Sequence, residues 1–380
     1  MSRRELPLRY GMNPHQAPAR ASVADGAFPL EVLNGIPSYI NFLDALNAWQ
    51  LVRELGAATK LPAAASFKHT APAGVAPGLL LPKSLARACR VVDLELTPLA
   101  SAYARARGAD RLASFGDLAA LSEPVDLATA HLLTREVSDG VIAPSYEEEA
   151  LAMLRRKKGG RYLVMAIDPF WQPPSVERRD LFGITLEQPR NDAPIALGQI
   201  VTQRCALPDD AQRDLLLAAT TLKYTPSNSI CLALDGQAIG VGAGQQSRIL
   251  CTRLACEKAE RWWLRQHPRS LMLRYKAGLS RPERDNAVEA WLRGEPAAAL
   301  IDSPASLTED ERQEWIEQMR EVTLASDGLI PFRDNIDRAA KTGVTYVWQP
   351  GGSSRESEVL AAADEHGMVM CHAALRLFHH

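Results

Sequence analysis

The sequence predicts an α/β protein of two related lobes, with a helical insertion in the second. Three observations lead there. The chain has 380 residues, 46% hydrophobic and 23% charged, an ordinary balance for a globular protein. At about 150 residues per domain this length gives two or three packing units. Short apolar runs rich in strand formers alternate with longer stretches of helical period, as layered α/β proteins require. The segment Ser138-Asp139-Gly140-Val141-Ile142-Ala143-Pro144 is echoed by Ser326-Asp327-Gly328-Leu329-Ile330-Pro331. A helix-forming stretch, a glycine turn and another apolar strand follow each copy, a pattern that reads as an old duplication.

Taken in order, the first marked element is a helix. Asn41 is its expected cap, Leu43, Leu46, Trp49 and Val52 fall at helical spacing, and Gly56 ends it. Residues 61–67 read as a small-residue strand leading into Lys68 and His69. Residues 139–144 read as another strand, with Ser145 and Glu148 as a capping box for the helix that follows. The basic run Arg155, Arg156, Lys157, Lys158 closes that helix as a solvated complement to its dipole. Strand signal is missing over residues 257–322. Ser280 with Glu283 and Thr308 with Glu311 there look like capping boxes, and Trp291, Leu292, Trp315 and Met319 supply apolar faces. The expected organisation is a first lobe over residues 1–170, a second over 171–256 and 323–380, and an insertion over 257–322.

Charge and cysteines narrow the function. With 43 Lys+Arg against 45 Asp+Glu the formal charge is −2, so no basic excess exists to grip a nucleic acid. The six cysteines are scattered without a CxxC pair, as in a reducing compartment. Met1-Ser2-Arg3-Arg4-Glu5-Leu6-Pro7 is not followed by an apolar leader core, and apolar runs such as residues 215–221 are too short to span a bilayer. The expectation is a soluble cytoplasmic protein. No HxE with PCxxC, no HExxH and no GxSxG occurs, which argues against zinc deaminase, zinc protease and serine hydrolase chemistry, and nothing suggests a transition metal.

Three segments are candidates for chemistry. In Ser66-Phe67-Lys68-His69-Thr70-Ala71-Pro72-Ala73-Gly74 a strand delivers an amine and an imidazole side by side. Strand neighbours point to opposite faces, so both serve one site only if the backbone leaves strand geometry, as Pro72 and Gly74 allow. A neighbouring ammonium favours the neutral imidazole that a general base needs; the plainer alternative is a surface lysine beside a core-edge histidine. Gly240, Gly242 and Gly244 precede a helix beginning near Arg248, which suits either an anion cradle or close packing. The spacing is GxGxG, not a dinucleotide or phosphate-loop fingerprint. Lys223-Tyr224-Thr225-Pro226-Ser227-Asn228-Ser229 is a polar break that either orients a carbonyl or simply turns the chain.

Together these segments resemble the AICAR transformylase domain of the bifunctional purine-biosynthesis enzyme. The likeness runs through residues 8–16, 66–74, 114–117, 135–144, 223–229, 240–248, 326–335 and 375–380. It implies transfer of a formyl group from 10-formyltetrahydrofolate, as co-substrate, to the 5-amino group of AICAR, giving FAICAR. By motif position it implies His69 as base, Lys68 as charge stabiliser or proton donor, and Asn228 as orienter of the formyl oxygen. Nucleotide contacts implied in the same way are Arg9, Tyr10, Gly116, Asp139, Asn228, Arg248, Leu329 and Arg376, with Leu329 standing where relatives commonly have Phe. Ile249, Asp334, Ser353 and Ser354 match folate-side positions. The resemblance further implies lobes like those of cytidine deaminase but without the zinc, and an intertwined homodimer whose sites draw on both subunits. It also implies a structural alkali cation near the Ser227 and Asp327 loops. The family's IMP cyclohydrolase domain has no counterpart in these residues, so the expectation is a stand-alone transformylase served by a separate cyclohydrolase. The competing expectation is an inactive nucleotide-binding paralogue, or a scaffold for that cyclohydrolase.

Overall fold

The computed structural model describes residues 5–23, 26–302 and 304–380; the leader reading of Met1 to Arg4 lies outside them. A short ladder of β1 (Glu5–Leu8) and β2 (Ala19–Ser22) opens the chain, followed by β3 (Leu30–Asn34) and the long helix α1 (Tyr39–Thr59). Next come the hairpin β4 (Ala63–Lys68) and β5 (Ala71–Pro77), then α2 (Lys83–Ala88) and α3 (Pro98–Ala109). Then β6 (Asp117–Leu121), α4 (Leu127–Arg135), β7 (Ser138–Ala143), α5 (Glu148–Gly160) and β8 (Leu163–Ile167) complete the first lobe. An exposed hairpin, β9 (Val176–Leu181) with β10 (Ile184–Pro189), leads to β11 (Gln199–Ile200) and α6 (Asp209–Lys223). The second lobe continues through β12 (Ile230–Leu234), β13 (Gln237–Gly242) and α7 (Arg248–Leu264), then α8 (Pro268–Leu271), α9 (Arg281–Leu292) and α10 (Glu309–Ile316). It closes with β14 (Val322–Ser326), α11 (Asp334–Ala340), β15 (Val344–Gln349), α12 (Glu356–Glu365) and β16 (Val369–His372). No described helix is long and apolar enough to cross a membrane.

The strands form two six-stranded mixed sheets of the same design, ordered β3-β8-β7-β6-β4-β5 and β11-β16-β15-β14-β12-β13. In each, the hairpin strands pair antiparallel, the next pairing is antiparallel, two parallel pairings follow, and an antiparallel edge strand closes the sheet. The match shows that the sequence echo is out of register. Ser138 opens β7, whereas Ser326 ends β14, whose partner by sheet order is β6. The resemblance of the two peptides therefore joins non-equivalent strands, while the likeness of the two sheets resides in their strand order.

Alternation along the strands feeds two cores, and each runs through both lobes. Ala64, Leu121, Val141, Leu232, Leu324 and Val347 face one layer, with α3 and α7. Ala65, Leu118, Ile142, Cys231, Ala325 and Trp348 face the other, with α1 and α6. Because α1 and α6 share a face and the edge strands β5 and β13 lie side by side, the lobes are related by a pseudo-two-fold axis normal to the sheets, and β5 runs opposite to β13. The Asp235–Gly236 turn agrees with this sense. Arg105 joins it to the end of β5, donating to Leu79 O at 3.1 Å and to Asp235 O at 2.9 Å.

Several local expectations are corrected. The cap of α1 is Ser38, in a capping box with Asn41, and the helix runs through Gly56 to Thr59. The N-cap of α5 is Glu147, with no side-chain cap; its carboxylate instead accepts the Leu127 amide at 3.1 Å. The boxes at Ser280 and Thr308 are present. Helix α7 continues past residue 257 to Leu264, so helices unique to the second lobe begin later than the sequence suggested. Trp291 and Leu292 are buried in the insertion's own core, whereas Met319 joins the core beneath the sheets.

Candidate active site

The Lys68–His69 segment leaves strand geometry, but not where the sequence suggested. Pro72 and Gly74 stay inside β5, and the reversal is made by His69 and Thr70, at φ 53° and 60°. Gly74 is required for another reason: a Cβ there would lie 2.0 Å from the Ala106 carbonyl of α3. His69 is exposed at the tip. Lys68 turns back and donates to Phe115 O at 2.5 Å. Beside it, Gly116 has φ 74°, and a Cβ there would stand about 4 Å from both Lys68 Nζ and the Asp139 carboxylate, so Lys68, Gly116 and Asp139 are neighbours. Arg9 and Tyr10 belong to the same end. Arg9 donates to the Tyr10 hydroxyl at 2.8 Å, and the Tyr10 carbonyl accepts from Tyr39 N at the start of α1.

Beneath the turn the support is polar and buried. Ser66 Oγ donates to Asp117 Oδ2 at 2.6 Å, and Arg107 pairs with the other oxygen of that carboxylate at 2.6 Å. The basic run at the end of α5 is part of this end of the lobe. The helix breaks at Lys157 (ψ 147°), and its amine turns inward to donate to Leu133 O at 2.8 Å and Ser138 Oγ at 2.7 Å. Burial brings Lys157 down to about 7. Lys158 pairs with Asp139 at 2.6 Å. Half of a run read as solvated dipole complement therefore packs on or under the candidate site. Charge alone does not distinguish these residues; the following Gly159-Gly160, which lets the backbone turn left-handed, was the available signal.

The second group surrounds Asn228. Arg248, the first residue of α7, is buried; it forms an ion pair with Asp327 and donates to Ser229 O at 3.0 Å and Asn228 Oδ1 at 2.9 Å. That bond fixes the amide, so Asn228 Nδ2 is its donating end, with one bond to Gln245 O at 2.9 Å. Asp327 also accepts from Ser227 Oγ at 2.6 Å and Ser229 N at 3.0 Å. Arg248 is the cationic partner of this carboxylate. Two of the three loop glycines are explained by packing. A Cβ on Gly240 would meet Ala255 O at 2.1 Å, and one on Gly242 would meet Cys251 O at 2.5 Å. Only Gly244 is left-handed, and its amide and that of Gln245 already bond Pro226 O and Asn228 O.

The remaining expected residues lie on loops and helix starts at this end of the second sheet. Leu329 is exposed just past β14, and exposed Arg376 stacks on Phe378 at 4.6 Å. Ile249 follows Arg248 in α7, and Asp334 opens α11, accepting from Asn335 Nδ2 at 2.8 Å. Ser353 Oγ accepts from Arg355 N at 3.2 Å; Ser354 beside it is exposed. Since β5 and β13 run in opposite directions, the Lys68 end of β4 and the Asn228 end of β12 fall on one edge of the molecule. Among the described residues no hydrogen bond or ion pair joins the two groups, nor do three or more His, Cys, Asp or Glu side chains converge as a metal would need.

Two sheets of one design thus carry a lysine–histidine turn with an exposed imidazole on one side and an arginine-fixed asparagine on the other. A family model described as AICARFT/IMPCHase bienzyme matches residues 1–258. The chain is 34% identical over 380 positions to the bifunctional purine biosynthesis protein PurH of Cereibacter sphaeroides strain ATCC 17029, covering 98% of this chain and 59% of the relative. It is 32% identical over 387 positions to that of Sorangium cellulosum strain So ce56, covering 99% and 59%. The chain belongs to the AICARFT/IMPCHase bienzyme family, and it spans about 59% of the length of these relatives.

Proposed function

We propose that the chain is a folate-dependent formyltransferase of purine biosynthesis, converting AICAR and 10-formyltetrahydrofolate to FAICAR and tetrahydrofolate. The observation that carries the reading is the left-handed turn that exposes His69 next to Lys68, with Gly116 and Asp139 beside the lysine amine. The reacting amine is weak because its lone pair is delocalised into the imidazole and carboxamide. His69 accepts a proton from this amine as its nitrogen bonds to the formyl carbon. The Asn228 amide donates to the formyl oxygen as that oxygen gains negative charge. The carbon–nitrogen bond to the folate then breaks, and the departing nitrogen takes a proton delivered from the Lys68 side. Arg9, Tyr10, Gly116 and Asp139 on one lobe, with Arg248, Leu329 and Arg376 on the other, are assigned to the nucleotide, and Ile249, Asp334, Ser353 and Ser354 to the folate.

The assignment places working groups on both lobes without a bond between them, which favours a homodimer that brings the Asn228 group of one copy to the His69 group of another. The β9–β10 hairpin supports that arrangement. A lone two-stranded hairpin is marginal in water, and Leu181, Phe182, Ile184 and Leu186 all lie exposed on this one. The matched sheet order also supports the cytidine-deaminase-like reading of each lobe.

The test is a spectroscopic assay of the purified chain with AICAR and 10-formyltetrahydrofolate. Turnover to the formylated product is expected. His69→Ala is expected to lower kcat by about 100-fold or more while AICAR affinity stays within a few-fold. Turnover by His69→Ala at the native rate overturns the assignment of the base, and a wild-type chain that binds AICAR without turnover favours the inactive paralogue.

A further inference from the structure

The two lobes carry the same hairpin turn with the same clasp. Asp44 is the sixth residue of α1 and Asp214 the sixth of α6. Thr70 N donates to Asp44 Oδ1 at 2.7 Å, and Gly236 N donates to Asp214 Oδ1 at 2.8 Å. Each bond ties the second residue of a turn whose two members are both left-handed, at φ 53° and 60° for His69–Thr70 and φ 49° and 71° for Asp235–Gly236. The second lobe fills this turn with Asp-Gly, the pair that such a geometry prefers. The first fills it with His69, a residue type that tolerates a positive φ, and with β-branched Thr70, for which a positive φ is a genuine outlier. A turn that holds an unfavourable residue persists only when its surroundings impose it. The buried Asp44 carboxylate is the available constraint, helped by Thr70 Oγ1 donating to His69 O at 2.7 Å.

We propose that Asp44 is a positioning residue for His69: by binding the Thr70 amide it holds the strained turn that presents the imidazole, a duty that its counterpart Asp214 performs only for packing. Burial raises the Asp44 carboxyl above its ordinary range, with the Thr70 amide and then the His69 charge pulling it back, which agrees with a side chain facing that turn. The proposal rests on the reading of His69 as the base.

The test compares D44A, D44N, D44A/T70G and D214A in the intact chain. D44A is expected to lower kcat at least 100-fold with the AICAR dissociation constant within threefold of wild type. Adding T70G is expected to restore at least tenfold, because glycine accepts the left-handed turn without the clasp. D214A serves as the control for losing the same bond in the second lobe, and its kcat is expected within twofold of wild type. A D44A kcat within threefold of wild type, or no recovery with T70G, overturns the proposal. If D44A does not fold, D44N decides: its amide oxygen still accepts from Thr70, so kcat is expected within fivefold, and a 100-fold loss shows that charge rather than the clasp matters. A wild-type chain that does not turn over refutes the assigned reaction alone. The clasp is then judged by amide exchange at Thr70, expected at least 30-fold faster in D44A, and an unchanged rate overturns it.

Discussion

At the scale of single residues, the chain places its costly groups beside the candidate chemistry. Lys157 sits under Ser138 with its amine brought to about 7 by burial, against 10.5 for a free lysine. A base whose folded pKa is lowered binds fewer protons folded than unfolded, so stability rises with pH between those two values. The wild type is therefore expected to gain unfolding free energy relative to Lys157→Met from pH 7 to pH 10.5, with the gap level below and above. Urea titrations across that range check it, and a gap independent of pH would show that the amine is not held neutral. None of this was legible in the Arg155–Lys158 run, since inward and outward lysines share one letter. Lys68, His69 and Asn228 were legible, because each stands where an apolar strand meets a polar break. Asp44 was not: an aspartate within a helix acquires its role only when a turn 26 positions along folds against it.

Among the secondary-structure elements, close approach of strand and helix decides the glycines. Gly74 is the fourth residue of β5 and Gly240 the fourth of β13, and each faces a helix carbonyl at a distance no Cβ tolerates. Gly74→Ala and Gly240→Ala should each cost about 1–3 kcal/mol through forced displacement of α3 or α7, measured by chemical unfolding. Losses below about 0.5 kcal/mol would mean that the helices move freely on the sheets. The sequence offers close packing as one of two readings for Gly240 and marks Gly74 only as a break in the strand, because the reason for each lies in a helix many residues away. Capping boxes, by contrast, are local, and both insertion boxes were read correctly. The first helix was misread because Asn41 is the far half of its box rather than the cap. The echoed Ser-Asp-Gly peptide joins strands that do not correspond, whereas the likeness of the two sheets lies in their strand order.

For the molecule as a whole, the insertion is tied by charge to both lobes, with Glu289 of α9 on Arg261 of α7 at 2.9 Å. Asp285 of α9 accepts from Arg111 at 2.8 Å and pairs with Arg90 at 3.1 Å and Arg265 at 3.5 Å. Arg281 reaches Glu136 at 2.6 Å, where Arg107 binds as well, at 3.0 Å. Burial opposes the charge on Glu136, yet Arg111, Arg107 and Arg281 together pull its pKa to about 2 from 4.5. An acid with a depressed folded pKa stabilises fully above its unfolded value and loses that contribution as pH falls through the folded one. Glu136→Gln is thus expected to be less stable than wild type at pH 7, by about 3–5 kcal/mol for a broken buried network, with the deficit shrinking from pH 4.5 toward pH 2. Thermal unfolding at several pH values checks it, and an undiminished deficit at pH 2 would assign the loss to packing. This latch also bears on synthesis. When the ribosome has released the first lobe, Arg111 and Glu136 are in place but Asp285 and Arg281 are more than a hundred codons from translation. Until its later half arrives, the early chain has the Arg111–Glu136 pair but neither Asp285 for Arg90 nor Arg281 for Glu136, so this network is completed only when the second lobe is made.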